Sequence, residues 1–246
     1  MGDLALYQLN IAYDGTDFAG FQRQGEKRTV QLEIERGLRL LGWTGKSILS
    51  AGRTDSGVHA SGQVIACELN WQHGVDSLKN ALNDHLPNDI SVLCVSLAKK
   101  GFHPRFDARS RRYLYRLLYS QQRHPLKERY AWRVWPEANF RLLSECAKSL
   151  IGDHDFAYLG CATNSPTTTK RMIFFAKWFK DEHGSKFEIC ANAFLYHMIR
   201  RLVFLQVKVG QGEISFEEWH KALDYGASLS AGIAPAHGLE LAEVSY

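Results

Sequence analysis

The chain has 246 residues, of which 45% are hydrophobic and 23% charged, enough for one large domain or two intimate halves, each with an apolar core. No apolar run reaches the length of a membrane span, and the start, MGDLALYQLN, lacks the basic-then-apolar pattern of a signal peptide, so a cytoplasmic protein with no membrane partner is expected. The formal charge of +4 permits a nucleic-acid partner without demanding one.

In chain order, YQLNIAY alternates, with Tyr7, Leu9, Ile11 and Tyr13 on one face of a strand. DGTDFAG reads as a loop. Val30, Ile34, Leu38 and Leu41 recur at helical spacing behind Thr29, a candidate N-cap. KSILS and GQVIACEL read as short strands around a Gly-rich loop, residues 75–85 as a second helix, and SVLCVSLA as a strand. This order is β-α-β-β-α-β, the ferredoxin-like pattern, and it predicts a sheet with helices on one face. A second half starts with RRYLYRLLY, followed by a helix over residues 139–150, two strands (RMIFFAKWFK and KFEICANAF) around the turn DEHG, helices over 195–209 and 216–225, and a closing strand over 239–246. It repeats the outline of the first. KKGFHPRF is the best boundary, giving halves 1–104 and 105–246 that share one continuous sheet.

Five scattered cysteines (Cys67, Cys94, Cys146, Cys161, Cys190) form no CxxC pair, so reduced, mostly buried thiols are expected. Ten scattered histidines form no HExxH-type pair, and no metal site is expected. Arg105, Arg109, Arg111, Arg112 and Arg116 share one segment with Phe102, Phe106, Tyr113 and Tyr115. A charge run alone reads as a solvated face. Rings interleaved with phosphate-neutralising charges are what unpaired RNA bases require.

The string AGRTDSGVHASGQV, residues 51–64, sets Arg53 and Asp55 in a Gly-flanked loop between two strands. By pattern alone, such a carboxylate caps its own turn as readily as it does chemistry. Arg53 lies two residues before Asp55, so in extended backbone both side chains share one side. Tyr113 and Tyr115 lie on the same strand face, and the pattern does not choose between them. Arg200 and the adjacent Arg201 point about 100° apart on a helix.

GRTDSGVHA resembles the signature loop of the pseudouridine synthases of the tRNA pseudouridine synthase A type. YDGTDFAGFQRQ, TVQLEIE, ALNDHLPNDISV, FHPRFDARSRRYLY, GDHDF, NAFLYHMIRR and APAHGL resemble further blocks of that family in order, over nearly the whole chain. The resemblance implies an α+β pseudouridine synthase fold: a central mixed sheet built from two ferredoxin-like halves, flanked by helices, with a cleft between them. It implies an isomerase that converts uridine to pseudouridine at positions 38, 39 and 40 in the anticodon stem-loop of tRNA, acting as a homodimer. The reaction breaks the ribose–N1 bond, turns the base and rejoins it through C5. Nothing is oxidised and no group is donated, so no cofactor is expected.

Residue by residue, the resemblance makes Asp55 the catalytic carboxylate, as nucleophile or base. Arg53 helps extrude the target nucleotide. Tyr113 becomes the active-site tyrosine and Tyr115 a packing residue, and Arg200 is expected to pair with Asp55. Arg23 and Arg109 are expected to bind substrate, with weaker backbone roles for Lys127, Arg129, Lys170 and Arg171. The chain departs from the family pattern at Ser56 (usually Ala), Phe21 (usually Trp) and Phe204 (Gly in many relatives). Competing readings are a non-catalytic RNA binder of the same topology, a tRNA hydrolase acting through Asp55 and His59, and an assembly protein without RNA. The strand signature of RNA-recognition domains is missing, and an acidic residue in a basic loop does not serve a pure binder.

Overall fold

A computed structural model describes residues 4–159, 168–227, 229 and 231–246. The elements, in chain order, are β1 (Ala5–Tyr13), α1 (Val30–Leu40), β2 (Leu49–Ser50), β3 (His59–Leu69), α2 (Val75–His85), β4 (Ile90–Leu97), β5 (Ser110–Tyr119), α3 (Pro125–Glu128), β6 (Trp132–Val134), α4 (Phe140–Ser149), β7 (Gly152–Asp155), β8 (Lys170–Asp181), β9 (Gly184–Ala191), α5 (Met198–Gly210), α6 (Phe216–Tyr225) and β10 (Leu239–Ser245). They divide into two units, residues 1–109 with 240–246, and residues 110–239. Both are mixed α+β.

In the first unit, β1 lies between β4 and β3, antiparallel to both. Its alternation survives intact: Tyr7, Leu9, Ile11 and Tyr13 are buried. The other edge of β3 carries β2 antiparallel at Ile65 and Ala66, and β10 parallel at His59 and Ala60. The strand order β4-β1-β3-β2 is the ferredoxin-like one. β2 is cut to two residues, shorter than KSILS suggested; the Ile48 N–H just before it is taken by the Glu35 carboxylate. Gly62 permits the approach of β10, since a Cβ there would lie 2.1 Å from the Ala242 carbonyl oxygen. The closing strand thus belongs with the first unit, and the units divide after Arg109, later than the 104/105 boundary drawn from the sequence.

α1 buries Val30, Ile34 and Leu38, and the Thr29 hydroxyl accepts the Leu32 N–H at 3.3 Å, as an N-cap does. The same helix buries Glu35, whose carboxylate has no solvent exposure. Burial of a lone charge is prohibitive unless it is paired and hydrogen-bonded. Arg23 Nη1 lies 2.6 Å from Glu35 Oε2, and Gln31 Nε2 and the Ile48 N–H donate to Oε1 at 2.8 and 3.2 Å. The network ties α1 to the segments before and after it.

In the second unit, β9 lies between β5 and β8, antiparallel to both, with β7 beyond β8 and β6 parallel to β5. The sequence reading missed α3, β6 and β7, which run for only three or four residues and carry no periodicity. α5 starts at Met198 rather than 195, because His197 adopts a left-handed conformation (φ 61°) that ends the preceding loop. Fully buried Gln206 on α5 accepts the Trp178 indole N–H at 2.8 Å and donates to the Leu202 carbonyl at 3.2 Å. That fixes α5 against β8. α6 opens with a capping box between Ser215 and Glu218.

Cys67 and Cys146 are buried, Cys190 is intermediate and Cys94 exposed; Cys161 lies outside the described residues. Among the described residues, no helix is long and apolar enough to cross a membrane, and no cluster of His, Cys, Asp or Glu suits a metal.

Replacing Glu35 with Ala should lower the unfolding free energy by about 3 kcal/mol, because Arg23 and two further donors lose their acceptor, and urea unfolding measures it. Burial pushes the Cys67 and Cys146 thiols and the Tyr13 hydroxyl up to about 12, from ordinary values of 9, 9 and 10. The unfolded chain therefore ionises first as pH rises. Stability should be flat below about pH 9 and fall progressively towards about pH 12. Urea midpoints measured across that range should drop, and Cys67→Ala should flatten part of the fall.

Candidate active site

Asp55 stands in the loop joining β2 to β3, and that loop is held by its neighbours rather than by itself. The Ala51 N–H donates to the Val64 carbonyl at 2.8 Å, and Gln63 Nε2 donates to the Gly52 carbonyl at 3.0 Å. Thr54, next to Asp55, is buried, and both of its polar oxygens are taken. Its hydroxyl bonds the Tyr13 hydroxyl at 2.8 Å, and its carbonyl accepts the Phe21 N–H at 3.0 Å. The Val58 N–H closes the turn onto the Asp55 carbonyl at 3.2 Å. Asp55 itself is half-buried, and Arg53 is exposed.

The surface that receives this loop is the segment between β1 and α1. Two of its glycines are required there. A Cβ on Gly15 would lie 2.0 Å from the Val58 carbonyl oxygen. Gly20 has φ +103°, and a Cβ there would lie 3.0 Å from the Thr54 carbonyl oxygen. Buried His59 clamps the far end: its Nδ1 accepts the Gly15 N–H at 3.0 Å. Asp14 Oδ1 lies 3.1 Å from the same nitrogen and accepts the Thr16 N–H and hydroxyl at 3.0 and 2.6 Å. The Nδ1–Oδ1 contact becomes an ion pair only if the ring is protonated. His59 is thus engaged in holding the loop, which counts against its use as a hydrolytic base. YDGT and GVHA are adjacent in space for this reason, a link that sequence spacing did not expose.

In the second unit, Tyr113 sits on β5, half-buried, with its ring edge-on to Phe194 at 5.2 Å. Tyr115, two residues on, is fully buried and donates to the Pro235 carbonyl at 2.8 Å. Burial raises its hydroxyl pKa well above the ordinary value, with Arg200 pulling weakly the other way. Gly238 makes room for it, since a Cβ there would lie 2.6 Å from the ring. Tyr115 is a packing residue, and Tyr113 retains the accessible ring.

Arg200 lies in the first turn of α5, half-buried. Its Nε donates to the Ala234 carbonyl at 2.8 Å, and the Ala234 N–H returns a bond to the Arg200 carbonyl at 3.1 Å. Arg201 donates instead to the Leu159 carbonyl, so the adjacent arginines serve different segments. His197, three residues before Arg200, is the one non-glycine with positive φ among the described residues, its ring stacked on Tyr196 at 3.6 Å. Such a backbone persists only where surroundings over-determine it. Arg23 is engaged with Glu35, with its side chain 39% exposed. Arg109 is exposed, and its N–H donates to the Ser245 carbonyl at 2.8 Å. Lys170 and Arg129 are exposed, Lys127 and Arg171 intermediate.

The departures from the family pattern are each accommodated. The Ser56 hydroxyl donates to the Phe18 carbonyl at 3.0 Å, a bond alanine cannot make. Phe21 is buried beside Tyr13, ring centroids 6.2 Å apart. Phe204 stacks on Trp132 at 6.3 Å, and Gly232 gives it space, since a Cβ there would lie 2.2 Å from the ring.

Asp55 thus stands on a loop held at Thr54, Val58 and His59, in a mixed α+β fold. Comparison with known proteins gives the family. A family model described as tRNA pseudouridine synthase matches residues 10–107 and 146–246. A tRNA pseudouridine synthase A of Borrelia garinii subsp. bavariensis is 38% identical, over 96% of this chain and 97% of its own. Those of Halalkalibacterium halodurans (38%, over 94% and 89%) and Borrelia turicatae (35%, over 96% and 97%) are similarly close. The chain belongs to the tRNA pseudouridine synthase family, and it is an isomerase acting on uridine in tRNA. A solved structure titled "Crystal Structure of a Cbf5-Nop10-Gar1 Complex" aligns with a TM-score of 0.37 at 11% identity over 95% of this chain; the chain spans 57% of that one's length, a likeness too loose to inform the site.

Replacing Thr54 with Val should cost about 1 kcal/mol, because the buried Tyr13 hydroxyl loses one of its two side-chain partners and keeps Gln63. Denaturant unfolding measures the loss, and Tyr13→Phe with Thr54→Val should recover much of it.

Proposed function

We propose that this synthase modifies uridines 38, 39 and 40 in the anticodon stem-loop of tRNA, with Asp55 as its catalytic carboxylate. The observation that carries the reading is the clamped loop: Tyr13, Phe21 and His59 hold residues 51–59 so that the Asp55 side chain stands at a fixed place. Catalysis gains most from groups already positioned before substrate arrives. The ionised carboxylate adds to the substrate or removes a ribose proton while the ribose–N1 bond breaks. The base then turns and rejoins through C5, which releases the carboxylate or returns the ribose proton; the C5 proton leaves to water and N1 takes up a proton in exchange. The atoms balance without oxidant, reductant or group donor.

Tyr113 stacks on the detached uracil through its accessible ring and keeps the base from leaving. Arg200, held by its two bonds to Ala234, supplies the cation of the site. Arg53, exposed at the loop's crest, fills the gap left when the nucleotide is extruded. Arg109 and the exposed side of Arg23 contact the phosphate backbone. The aspartate loop belongs to the first unit, and Tyr113 and Arg200 belong to the second. The enzyme acts as a homodimer in the cytoplasm and needs no cofactor. Support for the substrate positions and the dimer comes from motif blocks that match the family across the whole chain.

The test uses tRNA transcripts tritiated at uridine C5, with uridine retained at position 38, 39 or 40 in turn. Wild-type protein should release tritium to water with a chelator present and nothing added. Asp55→Asn should lose about a thousandfold or more in rate while still binding tRNA. Equal release by Asp55→Asn would remove Asp55 from the centre of the reaction. Release only from uridines outside the anticodon arm would overturn the proposed positions. Sedimentation velocity checks the dimer.

A further inference from the structure

We propose that Phe106 is a preformed stacking platform for an unpaired base of the tRNA, separate from the uridine that is modified. The proposal rests on tRNA as the substrate, not on the role of Asp55. Phe106 is 74% exposed. A single exposed hydrophobe is ordinary and by itself says little. What distinguishes this one is how much structure is spent on presenting it.

The ring stands on a tight turn over residues 103–107. The N–H groups of Phe106 and Asp107 both donate to the His103 carbonyl, at 3.2 and 3.0 Å. Asp107 Oδ2 reaches back to accept the His103 N–H at 2.9 Å. The Arg105 N–H donates to His103 Nδ1 at 3.1 Å. The turn is in turn fastened to the C-terminal strand. The Tyr246 hydroxyl donates to the carbonyl of buried Pro104 at 2.9 Å, and the Tyr246 ring meets Phe102 edge-on at 5.0 Å. The Arg109 N–H holds the Ser245 carbonyl at 2.8 Å. An exposed side chain that needed only to be tolerated would require none of these anchors.

The surroundings of the ring are of one kind. The His103 imidazole packs against it at 4.2 Å, and the Arg105 guanidinium lies 5.7 Å from its centroid. Lys99, Lys100, Arg105 and Arg109 crowd the segment, and its one carboxylate, Asp107, is engaged with the His103 N–H. A planar ring beside cations, on backbone that is already ordered, suits a nucleobase attached to phosphates. The base stacks, the cations neutralise the backbone, and little ordering cost remains to be met on binding. Duplex RNA offers no open base face, so the occupant is an unpaired nucleotide.

The test compares Phe106→Ala, Phe106→Trp and Arg105→Gln with wild type. Tyr225→Ala serves as a control, since Tyr225 is 83% exposed on α6 beside Asp224. Unfolding midpoints come first, and an exposed ring should leave them unchanged. For full-length tRNA, Phe106→Ala should raise Kd and KM about tenfold, with the loss in KM rather than kcat. Trp should restore binding. The slope of log Kd against log salt should be unchanged in Phe106→Ala and shallower by about one in Arg105→Gln, because stacking releases no counterions and a phosphate contact does. The proposal falls if Phe106→Ala binds within twofold of wild type, if Trp fails to restore binding, or if Phe106→Ala flattens the salt slope as Arg105→Gln does. It also falls if the change alters sedimentation but not Kd, which would make the ring a contact between copies. Retained turnover in Asp55→Asn would overturn the site assignment and leave this result standing.

Discussion

The seating of the Asp55 loop on the β1–α1 segment is the constraint that fixes the backbone around Asp55. One residue, Thr54, is gripped at both its hydroxyl and its carbonyl, by groups from different parts of the chain. Tyr13 reaches it from the end of β1, and Phe21 from the segment leading to α1. The Tyr13 hydroxyl is buried and bonded by both Thr54 and Gln63, so displacing the loop costs it one of these partners. Gly15 and Gly20 make the approach possible by lacking a Cβ, and His59 closes the far end.

The same logic recurs in the second unit. Arg200 is fixed through Ala234, and Tyr115 is pinned to Pro235, while Tyr113 on the same strand is half-buried. Glu35 is a buried charge that three donors make tolerable: Arg23 before α1, Gln31 within it and the Ile48 N–H after it. Such networks contribute less to net stability than to uniqueness: a shifted packing would strand a charge or a donor. The cost of disorder falls on the unpaired group, so the alternatives are excluded.

Neutral substitutions in this chain have physical partners. Phe204, where many relatives are expected to have glycine, is matched by space at Gly232 and a parallel ring at Trp132. Ser56 adds a hydrogen bond to Phe18. Each change is absorbed by residues distant in sequence, so a single position cannot be judged without its neighbour in space.

The sequence by itself determined the elements with a strong period. β1, α1 and α2 carry apolar residues at spacing two or near 3.6, and local backbone geometry turns that spacing into one buried face. It also determined the family, because GRTDSGVHA and the blocks around it are long and ordered enough to identify a common ancestor's fold. Tertiary structure alone decided the rest. That β10 pairs with β3 at His59 and Ala60, beyond the stretch β2 uses, is a long-range pairing that no local pattern encodes. That α5 begins at Met198 depends on a left-handed His197, a conformation a histidine adopts only under imposed contacts. That His59 is a clamp, Arg23 a counter-ion and Tyr115 a core residue depends on partners 12 to 120 positions away. Sequence specifies which chemical groups exist and which face they share; folding decides which of them spend their hydrogen bonds on each other and which remain for RNA.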